Sequence, residues 1–343
     1  MLARLTRELP ADGFVYEPKW DGFRCLAFCD GSSIDLRSRN DRPLARYFPE
    51  VTEALAAQLH EPAVLDGELV VAGAGGFDFS ALLARLHPAP SRVARLRSET
   101  LARYIAFDAL ARGSHDIRQL PLTGRHAALA ELLCRPLPPL HLSPRTDDPG
   151  VAEHWLELEP GGGIDGVVAK RPELPYQSGV RAMVKVKREQ TAECVVAGLR
   201  LRLDAPAVGS LLLGLYDDAG ELHHVGVSSA FSDDRRRGLL DELRPYATTI
   251  KGHPWEQGFL LAGGPTGRLR GAAARWSAAE MELDWIPLAP ALVCEVAYDH
   301  VGVDRFRYPA RFRRWRPDRD PRSCLLEQLR GEHRDPVELL AST

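Results

Sequence analysis

VYEPKWDGFR, residues 15–24, carries one of only five lysines in a chain of 343 residues. Lysine and arginine together number 44, so 39 are arginine. Arginine therefore serves wherever a positive charge is enough. A lysine can lose its proton when its surroundings depress its pKa, and its amine is then a nucleophile. Arginine stays charged and cannot do this. The five are Lys19, Lys170, Lys185, Lys187 and Lys251, and the sequence around four of them is unusual.

Three Asp-Gly pairs sit in or beside strand-like runs: KWDGFR (19–24), LDGELV (65–70) and IDGVVAK (164–170). A lone Asp-Gly is only a turn, but each of these has further ionisable residues at short spacing. Side chains two apart on a strand share a face, so Lys19 and Asp21 project together, as do Asp66 and Glu68. VKVK (184–187) puts Lys185 and Lys187 on one face, which is costly unless something anionic lies between them. Glu68 and Asp165 offer hard oxygen ligands for a divalent cation such as magnesium or manganese. Lys170, Lys185 and Lys187 can neutralise phosphate oxygens. Carboxylates, ammoniums and a metal on one phosphate is the logic of phosphoryl and nucleotidyl transfer.

The bulk numbers fit an ordinary globular protein: 45% hydrophobic, 27% charged, net charge −3. The length suggests two domains. No apolar run approaches the roughly 20 residues of a membrane span, and MLARLTRELPADG lacks a signal-peptide core, so a cytoplasmic protein without membrane attachment is expected. The six cysteines form no C-x-x-C pair, which excludes a cysteine zinc module. RFRYPARFRRWRPDRDPR (305–322) holds eight arginines among interleaved aromatics, a composition suited to a phosphodiester backbone or a polyphosphate.

The first half mixes strands (13–17, 23–29, 33–37, 63–72, 101–110, 163–170, 182–187) with helices (47–59, 123–133, 147–158). Asp30-Gly31 makes a hairpin turn, and each of the last two helices is opened by a capping-type residue. After about residue 190 come short strands separated by Gly and Asp turns, with one helix at 232–246. That pattern predicts a small barrel of the OB type. The expected division is 1–190, 191–322 and a C-terminal tail, 323–343.

These strings resemble the ordered motifs of the covalent nucleotidyltransferases, the superfamily of ATP-dependent DNA ligases, RNA ligases and mRNA-capping enzymes. KWDGFR resembles the signature K-x-D-G-x-R, SRN (38–40) its following arginine, and LDGELV the first carboxylate strand. YIAFDAL (104–110) resembles the aromatic strand, IDGVVAK the second carboxylate strand, MVKVK (183–187) the lysine pair, and RWRPDR (314–319) the C-terminal basic motif. Within the superfamily the chain resembles ATP-dependent DNA ligases of the compact actinobacterial ligase C type.

The resemblance implies an α+β architecture: a nucleotidyltransferase domain of antiparallel sheets with flanking helices, followed by an OB-fold β-barrel. It implies nick sealing through a lysyl-AMP and an adenylated DNA 5′ end, in DNA repair, with ATP and Mg2+ or Mn2+ as cofactors. Nicked duplex DNA is the implied substrate, a repair polymerase or primase the implied partner, and a monomer the implied state. Lys19 would be the nucleophile; Lys185 and Lys187 would hold the α-phosphate, and Phe107 would stack on adenine. Arg24 and Arg39 would meet the nick 5′-phosphate or the nucleotide. Arg316 and Arg319, with Asp318, would orient the leaving pyrophosphate as the second domain closes. Glu17 and Lys170 complete the implied nucleotide site, and Glu68 and Asp165 would bind metal, Glu68 or Asp165 alternatively meeting the ribose. Two departures stand out: Asp165 where the family usually has glutamate, and Arg319 where lysine is common. An RNA ligase or capping guanylyltransferase shares the lysine chemistry. A non-catalytic OB-fold binder of nucleic acid would have no use for Lys19, Glu68, Lys185 and Lys187 together. An NAD-dependent ligase would need a zinc module and an added N-terminal domain before Lys19.

Overall fold

The computed structural model describes residues 1–73, 76–86, 89–157, 163–256, 285–302, 304–329 and 340. The chain forms two compact units, divided between Arg188 and Glu189, two residues ahead of the expected boundary.

In the first unit, two sheets meet at the Lys19 motif. One runs Ala3–Thr6, Met183–Val186, Ile164–Lys170, Val15–Trp20; the other runs Ile34–Ser38, Phe23–Cys29, Ala63–Gly73, Ala102–Arg112, His115–Asp116. Between Trp20 and Phe23 the chain passes from the first sheet to the second, at Asp21-Gly22. Only glycine fits there, because a Cβ on Gly22 would lie 2.1 Å from the carbonyl oxygen of Leu69 and 2.9 Å from Cγ of Glu68. Gly166 is constrained likewise: its φ is +124°, and a Cβ would meet the Val186 carbonyl oxygen at 2.1 Å. These Asp-Gly pairs are close approaches between strands, with Asp165-Gly166 inside its strand. Asp30-Gly31, by contrast, is the expected hairpin turn, its Asp30 carboxylate accepting from the backbone N–H of Ser32 and Ser33.

Apolar faces of the second sheet pack beneath the helices Pro49–Gln58 and Leu122–Leu132, with Leu36, Phe48, Leu55, Leu65, Leu69 and Tyr104 fully buried. The helix predicted from Thr123 instead starts at Leu122 with Pro121 at its cap and no side-chain bond there. The helix Pro149–Glu157 does carry a capping aspartate, Asp148, which accepts from the Gly150 N–H at 2.8 Å; residue 158, the end of its predicted span, lies outside the described residues. Two helices, Phe79–Arg85 and Pro90–Glu99, occupy a stretch broken by Gly and Pro where no periodicity signals them. Asp78 opens the first, accepting from the Ser80 and Ala81 N–H groups at 2.8 and 2.9 Å. Asp78→Ala is expected to lower stability by about 1 kcal/mol, read as a shifted denaturation midpoint with unchanged slope.

The second unit is a five-stranded antiparallel sheet ordered Leu222–Ser228, Val208–Tyr216, Gln190–Leu201, Ile286–Tyr298, Arg311–Trp315. Its outer edges meet: Ser228 bridges Ala310, whose N–H donates to Val227 O at 2.8 Å. That closure turns the sheet into the small barrel expected from the strand pattern. Leu211, Leu213, Val196 and Trp255 fill it, and the helix Asp233–Leu243, capped by Ser232, packs against it. The expected tail is not a separate piece. Cys324, Leu326 and Leu329 are buried in this barrel's core and Leu340 in the first unit's, because burial of their apolar surface outweighs fraying. Residues 330–339 and 341–343 of that expected tail lie outside the described residues.

Candidate active site

Lys19 lies on Val15–Trp20, which pairs antiparallel with Ile164–Lys170. Its Nζ donates to Oδ2 of Asp165. The same oxygen pairs with Lys187 Nζ at 2.5 Å. Met183–Val186 sets this up by pairing with the Asp165 strand on one side and Ala3–Thr6 on the other. Lys185 lies opposite Val168; burial pulls its pKa below the ordinary value, and Lys187 and Lys19 add to this while Asp165 opposes it. One carboxylate thus serves a cluster of three ammoniums, so the cluster has capacity for a further anion.

Glu68 meets a different difficulty. Burial raises its carboxyl to about 8, although Lys19 and Arg24 pull it down, because Asp66 and Asp21 push it up as well. A half-buried carboxyl whose charged form stays disfavoured even beside Lys19 and Arg24 gains from a divalent cation. Among the described residues no group of three or more His, Cys, Asp or Glu forms a protein-only metal cage. Glu68 and Asp165 both flank Lys19, and two carboxylates with phosphate oxygens and water completing the shell is a donor set that magnesium accepts.

Phe107 keeps its ring partly exposed although its strand neighbours are buried. Lys170 Nζ lies 4.9 Å and Arg24 Cζ 5.8 Å from the ring centroid. Lys170 donates to Glu17 Oε2 at 2.7 Å, a buried pair. Burial pushes the Glu17 carboxyl up, but Lys170 and His126 outweigh it and hold it below the ordinary value. Glu17 Oε1 is buried and accepts no hydrogen bond among the described residues, although His126 Nε2 lies 3.3 Å away; that nitrogen is 3.2 Å from Phe107 O.

Arg24 is tied down more firmly than its motif suggests. Its Nε and Nη2 donate to both oxygens of Asp66, at 3.0 and 2.6 Å, and Nη2 also reaches Tyr176 Oη at 3.2 Å. Tyr176 Oη in turn donates to Asp66 Oδ2 at 2.9 Å. Asp66 lies directly opposite Asp108 on the neighbouring strand, and Asp108 is matched by buried Arg125 at 2.8 and 3.0 Å. Asp108, Arg125, His126 and Tyr176 are not singled out by the sequence. Asp66 alone has a signal, its place two residues before Glu68. Arg39 lies exposed in the turn after Ile34–Ser38.

Arg316 and Arg319 belong to the barrel unit. Arg316 donates to Asp318 through Nε and Nη2, at 2.9 and 2.7 Å, and pairs with Glu193. Arg319 Nε lies 2.5 Å from the other oxygen of Glu193. Three more arginines of the stripe pair with acids: Arg311 with Asp299, Arg313 with Glu189, Arg314 with Glu295.

Residues 1–187 match the family model described as ATP dependent DNA ligase domain, and residues 204–319 that described as ATP dependent DNA ligase C terminal region. DNA ligase C2 of Mycolicibacterium smegmatis is 47% identical over 331 residues, spanning 96% of this chain and 93% of that protein. DNA ligase C of Mycobacterium tuberculosis is 46% identical over 334 residues, spanning 96% and 92%. A solved Lig E DNA ligase is 21% identical with a TM-score of 0.51, covering 92% of this chain and 98% of that one, a likeness of fold. Among the described residues no helix is long and apolar enough to cross a membrane. Motif order, strand placement and near-full-length identity agree: this chain belongs to the ATP-dependent DNA ligases and is an enzyme of that class.

Proposed function

We propose that this ligase seals 5′-phosphate/3′-hydroxyl nicks in duplex DNA through an AMP carried on Lys19. One observation carries the proposal: Lys19 and Lys187 share a single oxygen of Asp165, with Lys185 a third ammonium beside them, while burial holds the Glu68 carboxyl up against the pull of Lys19 and Arg24. A metal–triphosphate satisfies both demands at once. Glu68 and Asp165 would hold magnesium or manganese, which supplies charge neutralisation at phosphate oxygens. Lys185 and Lys187 hold the α-phosphate, and Phe107 stacks on the base between its two cations. Lys19 Nζ, as the free amine, forms an N–P bond to the α-phosphorus. The Pα–O bond to the β-phosphate breaks, pyrophosphate leaves with the electron pair, and the amine proton passes to solvent. Arg316 and Arg319 orient that leaving group. AMP then moves to the DNA 5′-phosphate, where Arg24 and Arg39 act, and the 3′-hydroxyl displaces it.

The acceptor left open on Glu17 beside Phe107 suits the exocyclic amine of adenine. Guanine would present a carbonyl there, placing acceptor against acceptor. GTP is therefore expected to label the protein about a thousandfold less efficiently than ATP, since buried hydrogen-bonding sites discriminate strongly against mismatched partners. Rates of protein labelling by the two α-phosphate-labelled nucleotides check this, and equal rates would remove Glu17 from base selection. Chasing the labelled protein with nicked DNA and nicked RNA tests the polymer: discharge and sealing on RNA alone would make the chain an RNA ligase. A repair role, a repair polymerase or primase as partner, a monomeric state and a cytoplasmic setting belong to the same proposal. Sedimentation with and without such a polymerase tests the association and the monomer together.

A further inference from the structure

Glu193 and Glu295 stand directly opposite each other on the antiparallel strands Gln190–Leu201 and Ile286–Tyr298. Like charges in that register are destabilising, so the pair calls for cations. Three arginines supply them. Arg314 Nε lies 2.7 Å from Glu295. Arg316 Nη1 pairs with Glu193 and lies 3.9 Å from Glu295. Arg319 Nε lies 2.5 Å from the remaining Glu193 oxygen. The two oxygens of Glu193 thus hold two different arginines of the C-terminal basic motif, each at a fixed place.

Glu193 is itself clamped. Its backbone N–H donates to Gln328 Oε1 at 2.9 Å, and its backbone carbonyl accepts from Gln328 Nε2 at 3.1 Å. The neighbouring strand Val208–Tyr216 pairs with this one only from Val195 onward, so the Gln328 amide takes the place of a strand partner. Gln328 sits on the short 3-10 helix Leu326–Leu329, whose Leu326 and Leu329 anchor it in the barrel core. The chain of support therefore runs from barrel core to Gln328, to Glu193, to Arg316 and Arg319.

We infer that Glu193, seated by Gln328, is a positioning residue for nucleotide activation: it fixes the spacing of Arg316 and Arg319 so that both meet the leaving pyrophosphate. This rests on the proposed role of those arginines. The pairing leaves Arg316 with donors to spare, because Asp318 takes Nε–H and one Nη2 hydrogen, and Glu193 takes one of the two on Nη1. Pyrophosphate leaves only in the first step, when the Lys19 N–P bond forms and the Pα–O bond breaks. Sealing of a nick that already bears a 5′-adenylate has no such leaving group and no need of the pair's alignment.

The test compares two single-turnover reactions of the full chain: label transfer from α-phosphate-labelled ATP to pyrophosphate-stripped protein, and sealing of pre-adenylated nicked DNA without ATP. Glu193→Gln turns an amide donor toward one arginine and is expected to slow label transfer about tenfold or more, as loose positioning does. Sealing should stay within about twofold of the parent, on that same argument. Glu193→Asp should recover part of the loss, and Gln328→Ala should reproduce it more weakly with the same split between steps. Arg316→Ala is the control for the underlying reading. If Arg316→Ala blocks label transfer while neither Glu193→Gln nor Gln328→Ala slows it, the inference is overturned and the role of Arg316 stands. If Arg316→Ala leaves label transfer intact, both fall. Equal slowing of both reactions by Glu193→Gln, with a lowered melting temperature, would make Glu193 merely structural and overturn the inference.

Discussion

Lys19→Arg protein, mixed with α-phosphate-labelled ATP and magnesium, is expected to remain unlabelled, with ATP-dependent nick sealing reduced by at least about 10^4-fold. The substitution keeps the positive charge beside Asp165, so the ion pair seen at Lys19 survives in kind. It removes only the capacity to become a neutral nucleophile, because a guanidinium does not lose its proton in a protein. Folding should be unaltered, since the Lys19 side chain is a quarter exposed and contributes through its head group. A melting temperature equal to that of the parent protein, together with absent label, separates chemistry from stability. Label on Lys19→Arg protein at anything near the parental rate would mean that another residue is the nucleophile.

Asp108→Ala should destabilise the first unit by about 3–5 kcal/mol, because it leaves Arg125 buried without its counter-charge. Both partners are almost wholly shielded from water and bond through two parallel contacts. Arg125 Nη1 also donates to Leu120 O at 2.7 Å and Leu174 O at 3.1 Å. It therefore pins the segment leading to Tyr176, which in turn binds Asp66. Lost stability and weakened sealing should appear together, the second through a loosened Arg24. Urea denaturation of Asp108→Ala and of Asp108→Ala/Arg125→Met discriminates the mechanism: removing the orphaned charge should restore much of the loss. A double variant no more stable than the single one would show that the charge is not what matters.

Much of the site is legible in the sequence because it is built on strands. Alternation places Lys185 and Lys187 on one face, and three acid-bearing strands bring Lys19, Glu68 and Asp165 together. Short spacing carries that information, and the family resemblance gives its order. What stays hidden depends on contacts between distant segments. Arg125 reads as an ordinary helix residue until Leu122–Leu132 lies against the strand holding Asp108. Tyr176 sits in a stretch without periodicity and gains meaning only beside Asp66. Glu193 and Arg316 are 123 residues apart in the chain, and Gln328 lies in what reads as a short helical or frayed tail. The helices Phe79–Arg85 and Pro90–Glu99 escape notice for another reason: Gly and Pro break the apolar period that would announce them.

The most direct measurement is mass spectrometry of the intact protein after incubation with ATP and magnesium, followed by peptide mapping and a chase with nicked duplex DNA. The account predicts a single added AMP, carried on the peptide containing Lys19 and lost as the nick is sealed. An AMP on any other residue, or sealing by protein that never carries one, would contradict it.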